Sequence, residues 1–177
     1  MLPILITLGI GAAAALVARV ATRPAIFRVG RSTTVNAPPE AIYPLIEDFR
    51  RWAAWSPFEK LDPALRRSFS GSERGKGAVY EWEGNKKAGQ GRMEITDTSP
   101  PNGVTIKLDF LKPFESHNIT EFTMEPRGES TEVTWNMHGP NSMPAKVMQS
   151  FISMDKLIGK DFEAGLANIK RVAETGS

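Results

Sequence analysis

A series of strand-length segments with period-two patterning, closed by one long stripe of helical period, constrains this chain more than any other feature. Residues 77–83, 91–98, 104–110, 117–124 and 131–138 are separated by Gly, Pro, Asn and Ser, the punctuation of turns between strands. The pattern is clearest where Val104, Ile106, Leu108 and Phe110 fall on one face and Thr105, Lys107 and Asp109 on the other, because successive strand side chains point to opposite sides. The same parity groups Tyr80 with Trp82, Met93 with Ile95, Asn118 and Thr120 with Phe122 and Met124, and Val133 with Trp135 and Met137. Short links predict antiparallel neighbours, since parallel strands need long crossovers. Residues 31–36 and 65–70 read as further strands. Pro38 and Pro39 suit the start of a short helix through Ile42, Leu45 and Ile46, and a helical turn over 50–54 ends at Ser56-Pro57. After Pro144, Met148, Phe151, Ile158, Phe162, Leu166 and Ile169 recur at three- and four-residue steps, the spacing of an amphipathic helix.

Residues 2–18 carry no charge and are dominated by Leu, Ile, Val and Ala. As a helix this run spans roughly 25 Å, a little short of a hydrocarbon core of about 30 Å, so Val20, Ala21 and a snorkelling Arg19 would have to contribute. It is expected to be a transmembrane anchor over 1–22, joined by a basic linker over 23–31 to one domain over 32–177. Arg19, Arg23, Arg28 and Arg31 follow the run, whereas Met1-Leu2-Pro3 carries no base, and this asymmetry places the domain on the cytoplasmic side of a single-pass protein. The alternative is a signal peptide cleaved after Leu16-Val17-Ala18, which would release a secreted or periplasmic domain.

Of 22 basic residues four are those arginines, leaving 18 against 20 acidic ones. A slightly acidic domain does not suit a nucleic-acid binder, which needs a basic face. The chain has no cysteine, which excludes thiol catalysis, thiolate metal sites and disulfides. Its two histidines, His117 and His138, stand in no ligand spacing, and neither a metal nor another cofactor is expected. Glu81, Glu83, Asp109 and Glu121 fall opposite the apolar parity and read as solvated. No catalytic residue is assigned. Trp52 and Trp55 read as aromatic plugs of a helix-to-strand corner.

Several segments together resemble a known family. They are Val35-Asn36-Ala37-Pro38-Pro39-Glu40, Trp52-Ala53-Ala54-Trp55-Ser56-Pro57-Phe58, the glycines Gly71, Gly75 and Gly77 leading into Tyr80-Glu81-Trp82-Glu83-Gly84, Leu108-Asp109-Phe110-Leu111-Lys112-Pro113-Phe114, and Thr131 through Gly139, with Gly159 through Lys170 in the last helix. In this order they resemble the START-like, or SRPBCC, superfamily and within it the polyketide cyclase/dehydrase-type group. The resemblance implies an α+β helix-grip fold, a curved antiparallel sheet wrapped around a long C-terminal helix with a hydrophobic cavity between them. The expected ligand-lining residues are Tyr80, Trp82, Ile106, Leu108, Asn118, Thr120, Phe122, Trp135, Phe151 and Phe162, with Trp82 and Phe162 lining one shared apolar cavity. The function expected is a membrane-anchored, non-catalytic module for a lipid or isoprenoid-like molecule. The alternatives are a cyclase or dehydratase in the same cavity, for which no buried acid or base is evident, and a stress-related interaction module without ligand.

Overall fold

The computed structural model describes residues 17–18, 20–22, 24–141, 146–147 and 153–176. Its elements are β1 (Ile26–Val35), helix α1 (Pro39–Glu47), two 3-10 turns (Phe49–Ala54 and Pro57–Lys60), β2 (Arg66–Gly71), β3 (Ala78–Glu83), β4 (Gln90–Ser99), β5 (Gly103–Lys112), β6 (Ser116–Arg127), β7 (Ser130–Pro140) and helix α2 (Met154–Thr175). The strands form one seven-stranded sheet in the order β1-β7-β6-β5-β4-β3-β2, antiparallel throughout. Sequential hairpins account for every neighbour except β1, which returns to pair with β7. Two register shifts in the β4–β5 pair bend the sheet, since an extra residue in one strand kinks it and increases its twist.

The expected element order holds, with one change of boundary. Residues 26–31, read as linker, form the first half of β1. Arg28 and Arg31 are therefore strand residues, and the polar and charged letters that suggested a linker are the outer positions and one clamp of an edge strand. The expected anchor, apart from Val17, Ala18 and residues 20–22, lies outside the described residues, as do Met148 and Phe151. Among the described residues no helix is long and apolar enough to cross a membrane.

The core lies between the inner face of the sheet and the layer made by α1, the 3-10 turns and α2. Trp55, Ile42, Ile46, Ile95, Ile106, Phe122, Met124, Val133, Phe162 and Leu166 are buried there. Helix α2 packs along β1, and Arg31 bridges the two. Its guanidinium donates to both oxygens of Asp155 at 2.7 and 3.0 Å and to Glu163 at 2.7 Å, one turn either side of Gly159. The opposite end of the helix is tied by Glu174, which accepts the Asn36 amide at 2.7 Å. Trp52 and Trp55 are buried, and their indole N–H groups donate to Ile46 and Leu45 carbonyls at 3.0 and 2.8 Å. They close the end of α1, as expected of plugs.

Candidate functional site

The inner face of the sheet has two halves. Under α2, Trp135 of β7 stacks on Phe162 at 4.1 Å with the rings 7° apart, and Trp55, Phe58 and Phe122 meet Trp135 edge-on or tilted at 4.9 to 6.2 Å. This half is closed by aromatic packing. The other half runs across β6 to β2 toward the end at which β1 begins. There Leu108, Phe110, Trp82 and Phe69 are only half-buried. Trp82 stacks on Tyr80 at 6.0 Å and meets Phe110 edge-on at 5.7 Å. Its ring lies over Gly91, where any Cβ would collide with the indole and stand 2.6 Å from the Asp109 carbonyl.

All nine described residues expected to line a cavity lie on this inner face: Tyr80, Trp82, Ile106, Leu108, Asn118, Thr120, Phe122 and Trp135 by strand register, and Phe162 by its stack on Trp135. Phe151 lies outside the described residues. They divide between the two halves. Trp82 and Phe162 lie in different parts of the face: β3 and β7 are four strands apart, about 19 Å along the sheet at the usual spacing, and Phe162 is stacked on Trp135.

The polar residues of this face are the least satisfied part of it. Asn118 is 4% and Thr120 3% exposed, yet Asn118 Oδ1, Thr120 Oγ1 and Trp135 Nε1 have no hydrogen-bond partner in the protein. The Asn118 amide lies over Gly139, whose missing Cβ leaves it room, and its Nδ2 donates to Ser116 Oγ at 3.3 Å. Turning the amide would pair the oxygen and strand the nitrogen, so one end stays unpartnered either way. Each such group costs about 1–3 kcal/mol when buried, and native proteins hold few of them. They border Ile106, Met137 and Leu108 in the register of the sheet.

A second polar group escaped the sequence reading. Tyr80 Oη donates to Glu59 Oε1 at 2.6 Å, and Arg67 donates to Glu59 Oε2 at 2.6 Å and to its carbonyl at 3.1 Å. The Glu59 side chain is only 8% exposed. Burial first, then the carboxylate beside it, pushes the Tyr80 phenol well above its usual range, while the hydrogen bond to Glu59 raises Arg67. Tyr80 and Glu59 are 21 residues apart, so no local spacing signals their meeting. The three bond to one another and brace the Pro57–Lys60 turn against β2 and β3.

On the outer face Asp109 departs from the expected solvated position. It is 7% exposed, with His117 Nδ1 at 2.7 Å and Lys107 Nζ at 3.0 Å. Burial works to raise its carboxyl, but the hydrogen bonds from His117 and Lys107 outweigh that and hold it below the ordinary range. The bond to Asp109 in turn raises His117. Parity placed Asp109 on the right face; what buries it is the crowding of longer neighbours there. Among the described residues no group of three or more metal-ligating side chains is gathered. A hollow of about 260 Å³ lies beside His117 and His138, lined by Ile26, Ile119 and Pro140, and another of about 510 Å³ lies between α1, Arg50, Arg51 and the end of α2.

The profile of a protein family described as polyketide cyclase / dehydrase and lipid transport matches residues 27–174. The chain belongs to this family. Solved structures show the same fold at low identity. The protein MLL2253 from Mesorhizobium loti is 12% identical with a TM-score of 0.60, over 85% of this chain and 99% of the other. The protein CV1439 from Chromobacterium violaceum is 15% identical at 0.58, over 86% and 99%. DynU16, a putative protein of the dynemicin biosynthetic locus, is 18% identical at 0.58, over 85% of this chain but 48% of its own. No curated protein matches the sequence. The SRPBCC resemblance read from the motifs is thereby shown, and the helix-grip architecture with it.

Proposed function

We propose that this domain binds a hydrophobic small molecule, lipid or isoprenoid-like, that carries one hydroxyl or comparable polar group, and that residues 2–18 hold it at a membrane with the domain on the cytoplasmic side. The observation that carries the binding reading is the pair of buried, unpartnered oxygens on Asn118 and Thr120 within an otherwise apolar face. A ligand hydroxyl can donate to Asn118 Oδ1 and accept from Thr120 Oγ1 while its apolar body lies against Leu108, Ile106 and the half-buried aromatics. The family's description as including lipid transport supports the same class of ligand. The uncharged run and the arginines behind it support the membrane, because tethering raises the effective concentration of a membrane-soluble ligand. A cyclase would need a proton-transfer group open to the same space. The buried group nearest in kind, Glu59 with Tyr80 and Arg67, is closed on itself.

The test is Thr120→Val in the full chain. Removing an unpartnered hydroxyl is expected to leave thermal stability unchanged or raised, since no hydrogen bond is lost. It is expected to weaken binding of a fluorescent long-chain alcohol about 2- to 10-fold, the equivalent of one hydrogen bond of roughly 0.5–1.5 kcal/mol. Unchanged binding together with lowered stability would show the hydroxyl to be structural and overturn the reading.

A further inference from the structure

The sheet has two ends, and they differ. The registers place at one end the start of β1, the β3–β4 and β5–β6 turns, the close of β7 and the start of β2; α2 also starts there, since its last turn is tied to Asn36 at the opposite end. That end collects the large apolar side chains the domain leaves in water. Phe114 is 78% exposed, and Leu111, Leu157, Ile26 and Leu61 are 40 to 51% exposed. Leu111 is the extra residue at the register shift between Gln90 and Gly91, so the bulge turns it out of the sheet's alternation. No other large hydrophobic of the described strands, α1 or α2 is exposed to this degree. Interleaved with them stand Lys86, Lys87, Lys112 and Lys156, all exposed and, among the described residues, without an ion pair. The nearby carboxylates are engaged: Glu83 with Arg66 at 2.6 Å, Asp155 with Arg31 at 2.7 Å and Glu115 beside His117 at 3.3 Å.

We infer that this end is a docking surface for an anionic lipid bilayer, seating the domain end-on with Phe114 and Leu111 in the interfacial layer and the free lysines against lipid phosphates. Three observations favour lipid over a protein partner. The apolar side chains are tips on turns, a strand bulge, a strand start and a helix start, a form that enters a fluid interface but offers no flat, contiguous core. Lysine is depleted in protein interfaces, yet beside a bilayer its stem lies along apolar surface while its ammonium reaches the headgroups, at about 1 kcal/mol for each base near an anionic leaflet. The uncharged run over 2–18 joins the domain at this same end, so a chain held there already has these tips turned toward the bilayer. The half-buried Trp82 and Phe110 of the inner face lie toward the same end, which would let a ligand pass between lipid and domain without crossing water. The inference rests on the reading that the chain is membrane-borne.

The absence of cysteine makes the test direct. Full-length Phe114→Cys and, for the opposite end, Glu129→Cys are labelled with an environment-sensitive nitrobenzoxadiazole dye and reconstituted into phosphatidylglycerol vesicles carrying a spin-labelled quencher lipid. The dye at 114 is expected to shift to the blue and to be quenched at least threefold more than the dye at 129. Lys86→Glu with Lys87→Glu is expected to remove most of that difference, as is replacing phosphatidylglycerol by phosphatidylcholine. Equal quenching at the two positions overturns the inference, and so does a blue shift at 114 that grows with protein concentration at fixed lipid, which would mark contact with another protein copy. Vesicle flotation of the same samples reads membrane association separately. A chain that floats with position 114 unquenched sinks the docking surface and leaves the membrane reading intact, while a chain that does not float sinks both.

Discussion

The two halves of the inner face use the same kinds of side chain for different ends. Beneath α2, Trp135, Phe162, Phe122 and Trp55 fill one another's surroundings, and all four are buried to 3% exposure or less. Across β3 to β6, Trp82, Phe110 and Leu108 remain half-buried beside polar atoms that nothing in the protein satisfies. An aromatic residue on the inner face is therefore no sign of a binding site by itself. The difference lies in whether a second layer of the same chain completes its contacts.

The sharpest way to break this comparison is Phe162→Ala. Removing a stacked, fully buried ring is expected to destabilise the fold by about 3–5 kcal/mol, measured by denaturant unfolding, while leaving affinity for a fluorescent long-chain alcohol within about twofold under conditions where the variant stays folded. A selective loss of affinity would move the ligand beneath α2. Gly91→Ala works on the other half. A Cβ there must displace the Trp82 ring, at an expected cost of about 1–3 kcal/mol, and probe affinity should fall with it; a change in stability alone would make Trp82 a packing residue.

The smallest expected effect lies on the outer face and acts as a control. His117 has a folded-state value above its ordinary one near 6.5, so its pairing with Asp109 contributes stability fully below that value and loses it as pH rises through the raised one. Asp109, held below its ordinary range, contributes above that range and loses its share as pH falls through the lowered value. His117→Gln should flatten the stability profile on the alkaline side of pH 6.5 and leave probe binding unchanged. An unaltered profile would mean that the His117–Asp109 contact contributes nothing in solution.

Much of this protein is legible in its sequence. Alternation alone assigned the inner positions of β3 to β7, because a strand's period of two is a property of its backbone. The three-and-four spacing of Ile158, Phe162, Leu166 and Ile169 likewise marked the buried stripe of α2, and motif order identified the family. Neither told Trp82 from Phe162. Parity says which face a residue occupies and nothing about what covers it, and the cover depends on where α2 lies, which its buried stripe and the pairing of Arg31 with two carboxylates 124 and 132 residues away set together. The same limit hid the Glu59–Tyr80–Arg67 brace and the burial of Asp109. It also hid the gathering of Phe114, Leu111, Leu157 and Ile26 at one end, because residues distant in sequence become neighbours only when the hairpins are laid in register. Local periodicity is set by the bonds of one segment; burial, pairing and the polarity of the whole domain are set by contacts among segments, and those exist only in the folded chain.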